Sequence, residues 1–265
     1  MTEIPKTKKS LGQHWLSDVT TLQYICDAGE VGADDTVLEI GAGTGTLTSL
    51  LVKQAKKVVA VEFDQALAVR LPERLKVDNL EVVQQDILSF DLTSLPPDYK
   101  VIANIPYYLT SNLIRVLSES TNQASTVVLL VQKEVAERVA AKQGQMSLLS
   151  VSAQFYWKVS LGDVVEAELF TPPPKVDSRV LIMKRRSKPM FVDVDEKTFF
   201  RIVKAGYSAR RKTLLNSLAG GLRTDKEQIQ QILELAQIKP SLRAQNLSLD
   251  DWWALYTVCK QQNIV

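Results

Sequence analysis

The sequence predicts an α/β fold: a mostly parallel, seven-stranded sheet with helices on its faces, then a small C-terminal all-helical domain. Three observations carry this. Short β-branched runs alternate with amphipathic stretches over residues 36–131. Proline-rich Phe170-Thr171-Pro172-Pro173-Pro174 interrupts the pattern. From about Lys184 strand-like runs give way to helical periodicity.

The elements follow in order. The apolar runs Thr36–Ile40, Lys57–Val61, Leu80–Val83, Tyr99–Ala103 and Thr126–Val131 are separated by segments such as Gly45–Gln54 and Gln65–Lys76. Apolar runs spaced by helices read as βαβ units, whose parallel sheet is covered on both faces. Lys133–Lys142 and Met146–Trp157 read as helices, and a further run lies near Val159–Val165. Pro172–Pro174 form a stiff linker in which no helix can form. Ser178–Met183 reads as a last strand that returns as a hairpin edge. Beyond it, Glu196–Tyr207, Ala209–Leu218, Asp225–Ala236 and Leu249–Gln262 are helical. Thr224 or Asp225 and Ser248 suit N-caps, and Gly220-Gly221 a C-terminal stop. The domain boundary falls near residues 186–190, giving a ligand-binding catalytic domain over 1–187 and a helical domain over 188–265.

Composition removes several chemistries. The 265 residues are 45% hydrophobic, ample apolar material for a folded core. The two cysteines, Cys26 and Cys259, lie at opposite ends, which disfavours a structural zinc site or a disulfide scaffold, and no metal is expected. The single histidine, His14, has no G-x-S-x-G partner, so a Ser/His/acid hydrolase is disfavoured. No run reaches the roughly 18 apolar residues of a membrane span. Lys6, Lys8 and Lys9 are not followed by an apolar stretch, so the N-terminus is not a signal peptide. A soluble cytoplasmic protein, acting as a monomer, is expected.

The strongest local signal is Glu39-Ile40-Gly41-Ala42-Gly43-Thr44-Gly45-Thr46, where a strand ends in three alternating glycines and opens a helix. Glycine permits positive φ and close approach of a ligand to backbone. A dinucleotide site uses G-x-G-x-x-G/A to seat a pyrophosphate. Here the third glycine comes one residue early, and Glu39 would repel a pyrophosphate. The pattern suits a phosphate-free ligand with a positive end, such as S-adenosylmethionine. Glu62, at the tip of the next strand, is placed to accept ribose hydroxyls. Asp86 follows the third strand and could accept from an adenine amine.

The fourth strand ends in Asn104-Ile105-Pro106-Tyr107-Tyr108, which resembles the Asn/Asp-Pro-Pro-Tyr/Phe signature of methyltransferases acting on planar exocyclic amines. The lone pair of such an amine is delocalised into its ring, so it is a poor nucleophile. If the Asn104 oxygen and a neighbouring carbonyl accept both amine protons, the nitrogen can aim its lone pair at a sulfonium methyl. Pro106 stiffens the turn, Tyr107 offers a stacking ring, and positioning rather than a strong base does the chemistry.

The segments Lys9–Leu16, Asn104–Tyr107, Gln132–Val135, Phe170–Ser178 and Arg210–Thr213 occur in the order of the small-subunit ribosomal RNA adenine dimethyltransferase family (KsgA-type), and the chain resembles that family from residue 9 to about residue 255. The resemblance implies a class I (Rossmann-like) methyltransferase that dimethylates two adjacent adenosines in a small-subunit rRNA hairpin during subunit maturation. It implies S-adenosylmethionine contacts from Gln13, His14, Leu16, Gly41, Gly43, Gly45, Glu62, Asp86 and Asn104. His14 and Trp15 stand where the family most often has Asn and Phe. Asn104 and Pro106 are implied to be catalytic, with Tyr107 and Phe170 sandwiching the flipped adenine. The alternatives are a large-subunit rRNA methyltransferase of the antibiotic-resistance type, a non-catalytic nucleic-acid-binding factor on the same fold, and a nicotinamide enzyme.

Net charge is only +2, but it is unevenly distributed. Residues 184–223 hold eleven Lys/Arg against three acids, a net +8, leaving −6 elsewhere. Arg201, Lys204, Ser208 and Arg211 recur at helical spacings, and Arg210-Arg211-Lys212 follow. A charged helix face is usually only solvated, but the resemblance to an RNA-binding family implies that Arg201, Lys204, Arg210, Arg211 and Lys212 bind RNA phosphates, with the N-terminal lysines a weaker patch.

Overall fold

In the computed structural model, residues 12–188 and 190–264 are described; Lys6, Lys8 and Lys9 of the N-terminal patch, and the start of the Lys9–Leu16 segment, lie outside the described residues. The chain divides into two compact units. One runs to Glu137 and resumes over Trp157–Arg185; the other comprises Arg138–Tyr156 and the chain from Arg186.

The first unit contains β1 (Trp15–Leu16), α1 (Val19–Ala28), β2 (Thr36–Ile40), α2 (Thr48–Gln54), β3 (Lys57–Glu62), α3 (Gln65–Leu75), β4 (Leu80–Gln84), β5 (Lys100–Asn104), α4 (Thr110–Glu119) and β6 (Thr126–Gln132). After α5 (Lys133–Val139), the unit continues with β7 (Trp157–Val165), β8 (Phe170–Thr171) and β9 (Ser178–Arg185). The main sheet has the order β4-β3-β2-β5-β6-β9-β7, parallel from β4 to β6, with β9 antiparallel to both neighbours. Val58, Val101, Val127 and Val128 are fully buried, as central strands between two helical layers require.

Helix α1 precedes the elements read from the sequence, and α4 fills the β5–β6 connection that the βαβ alternation requires. Helix α1 is set by Asp18, whose carboxylate accepts the Thr21 amide at 2.7 Å. Helix α4 buries Leu113, Ile114 and Leu117, an i, i+1, i+4 stripe. The last strand is also placed differently: β9 is interior, inserted between β6 and β7, and β7 forms the edge. The reason is burial. Val180, Leu181 and Met183 are completely enclosed, whereas β7 exposes Lys158, Ser160 and Asp163 and carries an irregularity between Leu161 and Val164. The proline linker carries a strand of its own, with β8 pairing antiparallel to β1.

In the second unit are α6 (Leu148–Tyr156), α7 (Glu196–Gly206), α8 (Leu214–Leu222), α9 (Lys226–Leu235) and α10 (Leu249–Gln261). Residues 138–156, assigned by sequence to the catalytic domain, pack here instead. Met146, Val151 and Phe155 join one core with Phe199, Leu218 and Trp252, and the Phe155 ring lies 5.0 Å from that of Phe199. Helix α8 starts at Leu214, not Ala209, and Gly220-Gly221 lie inside it; the chain turns out at Arg223 with φ 59°. A Cβ on Gly221 would approach the Ala205 Cα to 2.6 Å, so this glycine permits close packing of α7 and α8. Asp225, not Thr224, caps α9 through the Gln228 amide. Ser248 and Asp251 form a reciprocal capping box on α10.

Among the described residues no helix is long and apolar enough to cross a membrane.

Candidate active site

The C-terminal ends of β2, β3 and β5 open onto a cavity of 280 Å³, where ligands bind in open parallel sheets. The glycine loop forms one wall. Gly41, Gly43 and Gly45 have φ of 72°, 56° and 77°, a region that strains other residues. Their roles differ. A Cβ on Gly41 would enter the space beside Pro106, nearest atom 3.9 Å away. One on Gly43 would meet the Trp15 ring at 2.7 Å, and one on Gly45 would meet Leu71 at 2.5 Å. Gly45 does not line the cavity. It lets α3 approach the loop, so the expected ligand contact there is replaced by packing.

Glu62 stiffens this wall. Its carboxylate accepts the Gly43 amide at 2.9 Å and the Asp64 amide at 2.8 Å. Burial lifts its pKa above the ordinary value, and these backbone donors oppose the shift. Glu39 is 1% exposed, lines the cavity, and has no hydrogen-bond partner at Oε2 among the described residues. Burial, opposed by nearby Thr48 and reinforced by Glu62, pushes its carboxyl up to about 8. Asp86 caps a short turn through the Leu88 amide at 3.0 Å and also lines the cavity.

At the end of β5, no described residue hydrogen-bonds the Asn104 side chain or the Ile105 carbonyl. The next two carbonyls are taken: Pro106 accepts the Leu109 amide at 3.0 Å, and Tyr107 accepts the Thr110 hydroxyl at 2.9 Å. The Tyr107 hydroxyl bonds that of Ser178 at 2.8 Å, and burial raises its pKa.

The N-terminal segment closes one side. Trp15 and Leu16 pair with Thr171 and Phe170, and the Leu16 carbonyl accepts the Thr46 hydroxyl at 3.1 Å. His14 Nδ1 lies 2.6 Å from the Pro172 carbonyl. A carbonyl can only accept, so Nδ1 carries the proton. The imidazole stacks on Tyr107, centroids 6.1 Å apart.

Gln13, His14, Leu16, Gly41, Gly43, Glu62, Asp86, Asn104, Pro106, Tyr107 and Phe170 all line this cavity. Sequence reasoning missed Phe63, Tyr108 and Asn112, which line it as well. The signal for Phe63 and Tyr108 was an aromatic directly after an assigned residue; Asn112 had none.

Of the basic residues, Arg201 and Lys204 stand exposed on α7, whereas Ser208 and Arg211 fall beyond its end. Arg210, Arg211 and Lys212 occupy the exposed turn before α8. None of the five expected RNA contacts is ion-paired to a described residue. Three of the eleven basic residues of 184–223 have structural partners instead. Lys184 pairs with Glu30 at 2.7 Å, Arg185 with Asp98, and Arg186 donates twice to the Gln154 carbonyl.

A sequence model described as "Ribosomal RNA adenine dimethylase" matches residues 4–261. A relative from Dehalococcoides mccartyi, "Ribosomal RNA small subunit methyltransferase A", is 39% identical over 257 residues, covering 96% of this chain and 88% of its own. A dimethyladenosine transferase from Plasmodium falciparum superposes with TM-score 0.82 at 27% identity, over 94% of this chain and 98% of that one. The 23S rRNA methyltransferase ErmE gives 0.76 at 26%, over 93% and 100%. The mixed seven-stranded sheet is accordingly the class I methyltransferase arrangement. The chain belongs to the ribosomal RNA adenine dimethylase family.

Proposed function

We propose that this protein binds S-adenosylmethionine in the cavity and transfers methyl groups to the N6 amines of two adjacent adenosines in small-subunit ribosomal RNA, each becoming dimethylated. The observation that carries this is the pair of unengaged acceptors, Asn104 Oδ1 and the Ile105 carbonyl, at the end of β5. Two free acceptors on consecutive residues match an aromatic amine with two protons, and holding both leaves the nitrogen lone pair directed away from the base. Once alkylated the nitrogen is strongly acidic and releases its proton to water, so no basic side chain is required.

The residues present fit the cofactor. The Gly41 position is a cradle that a Cβ would fill, and Glu39 is a buried acid whose Oε2 makes no hydrogen bond to a described residue. S-adenosylmethionine, when bound, supplies an electrophilic methyl on a sulfonium. Glu62 keeps a second lone pair on each oxygen for ribose hydroxyls while its first pairs hold the loop. Gln13, His14 and Leu16 cover the ligand from the N-terminal side, Gly43 shapes its wall, and Asp86 receives its adenine amine. Tyr107 and Phe170 enclose the flipped target base, whose extrusion cost stacking offsets. Arg201, Lys204, Arg210, Arg211 and Lys212 supply phosphate contacts.

The small-subunit substrate is favoured by the relative named for the small subunit, 39% identical, and by the better superposition on the dimethyladenosine transferase than on ErmE, TM-score 0.82 against 0.76. Incubation of the protein with unmethylated small and large subunits in turn and labelled S-adenosylmethionine, followed by mapping of the modified bases, tests the reading. Label confined to two neighbouring adenosines of small-subunit RNA is the expected result; label in large-subunit RNA, or none, overturns it.

A further inference from the structure

Tyr108 is the residue least explained by the chemistry at Asn104. Its neighbour Tyr107 is half-buried and tied to Ser178, but Tyr108 is 61% exposed while lining the same cavity. One edge of its ring rests near Gly12, where an added Cβ would lie 3.6 Å away. The remainder of the ring faces outward. Asn112, exposed and also lining the cavity, follows one helical turn later in α4, and no described residue hydrogen-bonds its amide. Tyr108 lies in the short 3-10 turn Tyr107–Leu109, which runs directly into α4. Both side chains line the cavity, so it carries an exposed aromatic surface and an unengaged amide from neighbouring turns of the chain.

We infer that Tyr108 and Asn112 form a second nucleobase subsite, in which Tyr108 stacks the base flanking the one at Asn104 and Asn112 hydrogen-bonds its edge. The inference rests on the proposed RNA substrate. An exposed ring is costly to leave in water but is a suitable platform for an unstacked base, which exposes two apolar faces. An amide carries both donor and acceptor, so it can match the paired donor and acceptor on a base edge. A flanking base held this way keeps the strand open once the target base has left its stack, and fixes the register in which the target meets Asn104. The subsite thus contributes to substrate binding rather than to the methyl-transfer step.

The test is a kinetic split on unmethylated small subunits, with cofactor affinity measured separately by titration. Tyr108→Ala is expected to raise KM for the subunit about tenfold, within the stacking contribution of one base, with kcat and S-adenosylmethionine affinity unchanged. Tyr108→Phe keeps the ring and restores most of the affinity, and Asn112→Ala gives a smaller rise in KM. The inference is overturned if Tyr108→Ala has wild-type KM, if Tyr108→Phe is as impaired as Tyr108→Ala, or if the loss appears in cofactor affinity. Failure of the substrate reading is distinguishable, because then the wild-type protein itself leaves small-subunit adenosines unmodified.

Discussion

The Gly43 amide donates to the Glu62 carboxylate at 2.9 Å, joining the glycine loop to the tip of β3 across the sheet. The other carboxylate oxygen holds the Asp64 amide, so one side chain sets two backbone segments of the cavity. Glu62→Gln replaces one acceptor with a donor that faces an N–H group. We expect S-adenosylmethionine affinity to fall about tenfold or more, a loss of roughly 1.5–3 kcal/mol for a charged hydrogen bond. Calorimetric titration of variant and wild type reads this directly.

Asn104→Ala removes one of the two acceptors proposed for the target amine. Methylation of small subunits should drop below detection while cofactor titration changes only modestly. Wild-type turnover in this variant would falsify the positioning mechanism.

Glu39 makes stability depend on pH with a definite sign. Its carboxyl sits at about 8 in the folded protein against an ordinary 4.5, so the folded state holds an extra proton between those values. Stability contributed by this group is present below 4.5 and is lost as pH rises through about 8. Glu39→Gln stays neutral throughout. Its Tm advantage over wild type should therefore widen from pH 5 to pH 9, and parallel Tm curves would show the carboxyl to be ionised already.

The two adjacent glycines of α8 should respond oppositely to alanine. At Gly221 the new methyl meets Ala205 backbone and side chain at 2.6–2.9 Å, and overpacking of this kind costs about 1–3 kcal/mol. Nothing lies within 4 Å of a Cβ at Gly220, which is exposed within the helix. Alanine there should stabilise by about 0.5–1 kcal/mol. Urea unfolding of both variants checks the contrast.

The basic residues divide by partner. Replacing Arg210, Arg211 and Lys212 with alanine should weaken RNA binding at all sequences, with the salt slope falling by about one per lost phosphate contact. Lys184→Ala and Arg185→Ala remove charges already paired with Glu30 and Asp98, so the slope should barely move. Binding isotherms at several salt concentrations separate the sets.

What was legible in the sequence was local. The alternation of apolar runs and helices, the glycine turn after β2, the acid ending β3 and the Asn104–Tyr107 turn ending β5 each depend on residues within a few positions of one another. Parallel connectivity then brings all the strand ends to one edge, which is why separate motifs meet in one cavity. The tertiary structure decided whatever depends on a distant partner. The insertion of β9 beside β6 follows from burial on both faces, and residues 138–156 join the helical unit because Phe155 packs against Phe199. Gly45 and Gly221 look like a ligand loop and a helix stop in sequence, yet both serve close packing against Leu71 and Ala205. In the basic stretch from Lys184, Lys184 and Arg185 are ion-paired and Arg186 is tied to a backbone carbonyl, while burial pushes the Glu39 carboxyl upward. Charge and glycine content are written in the chain, but only packing determines whether a charge is paired and what a missing Cβ makes room for.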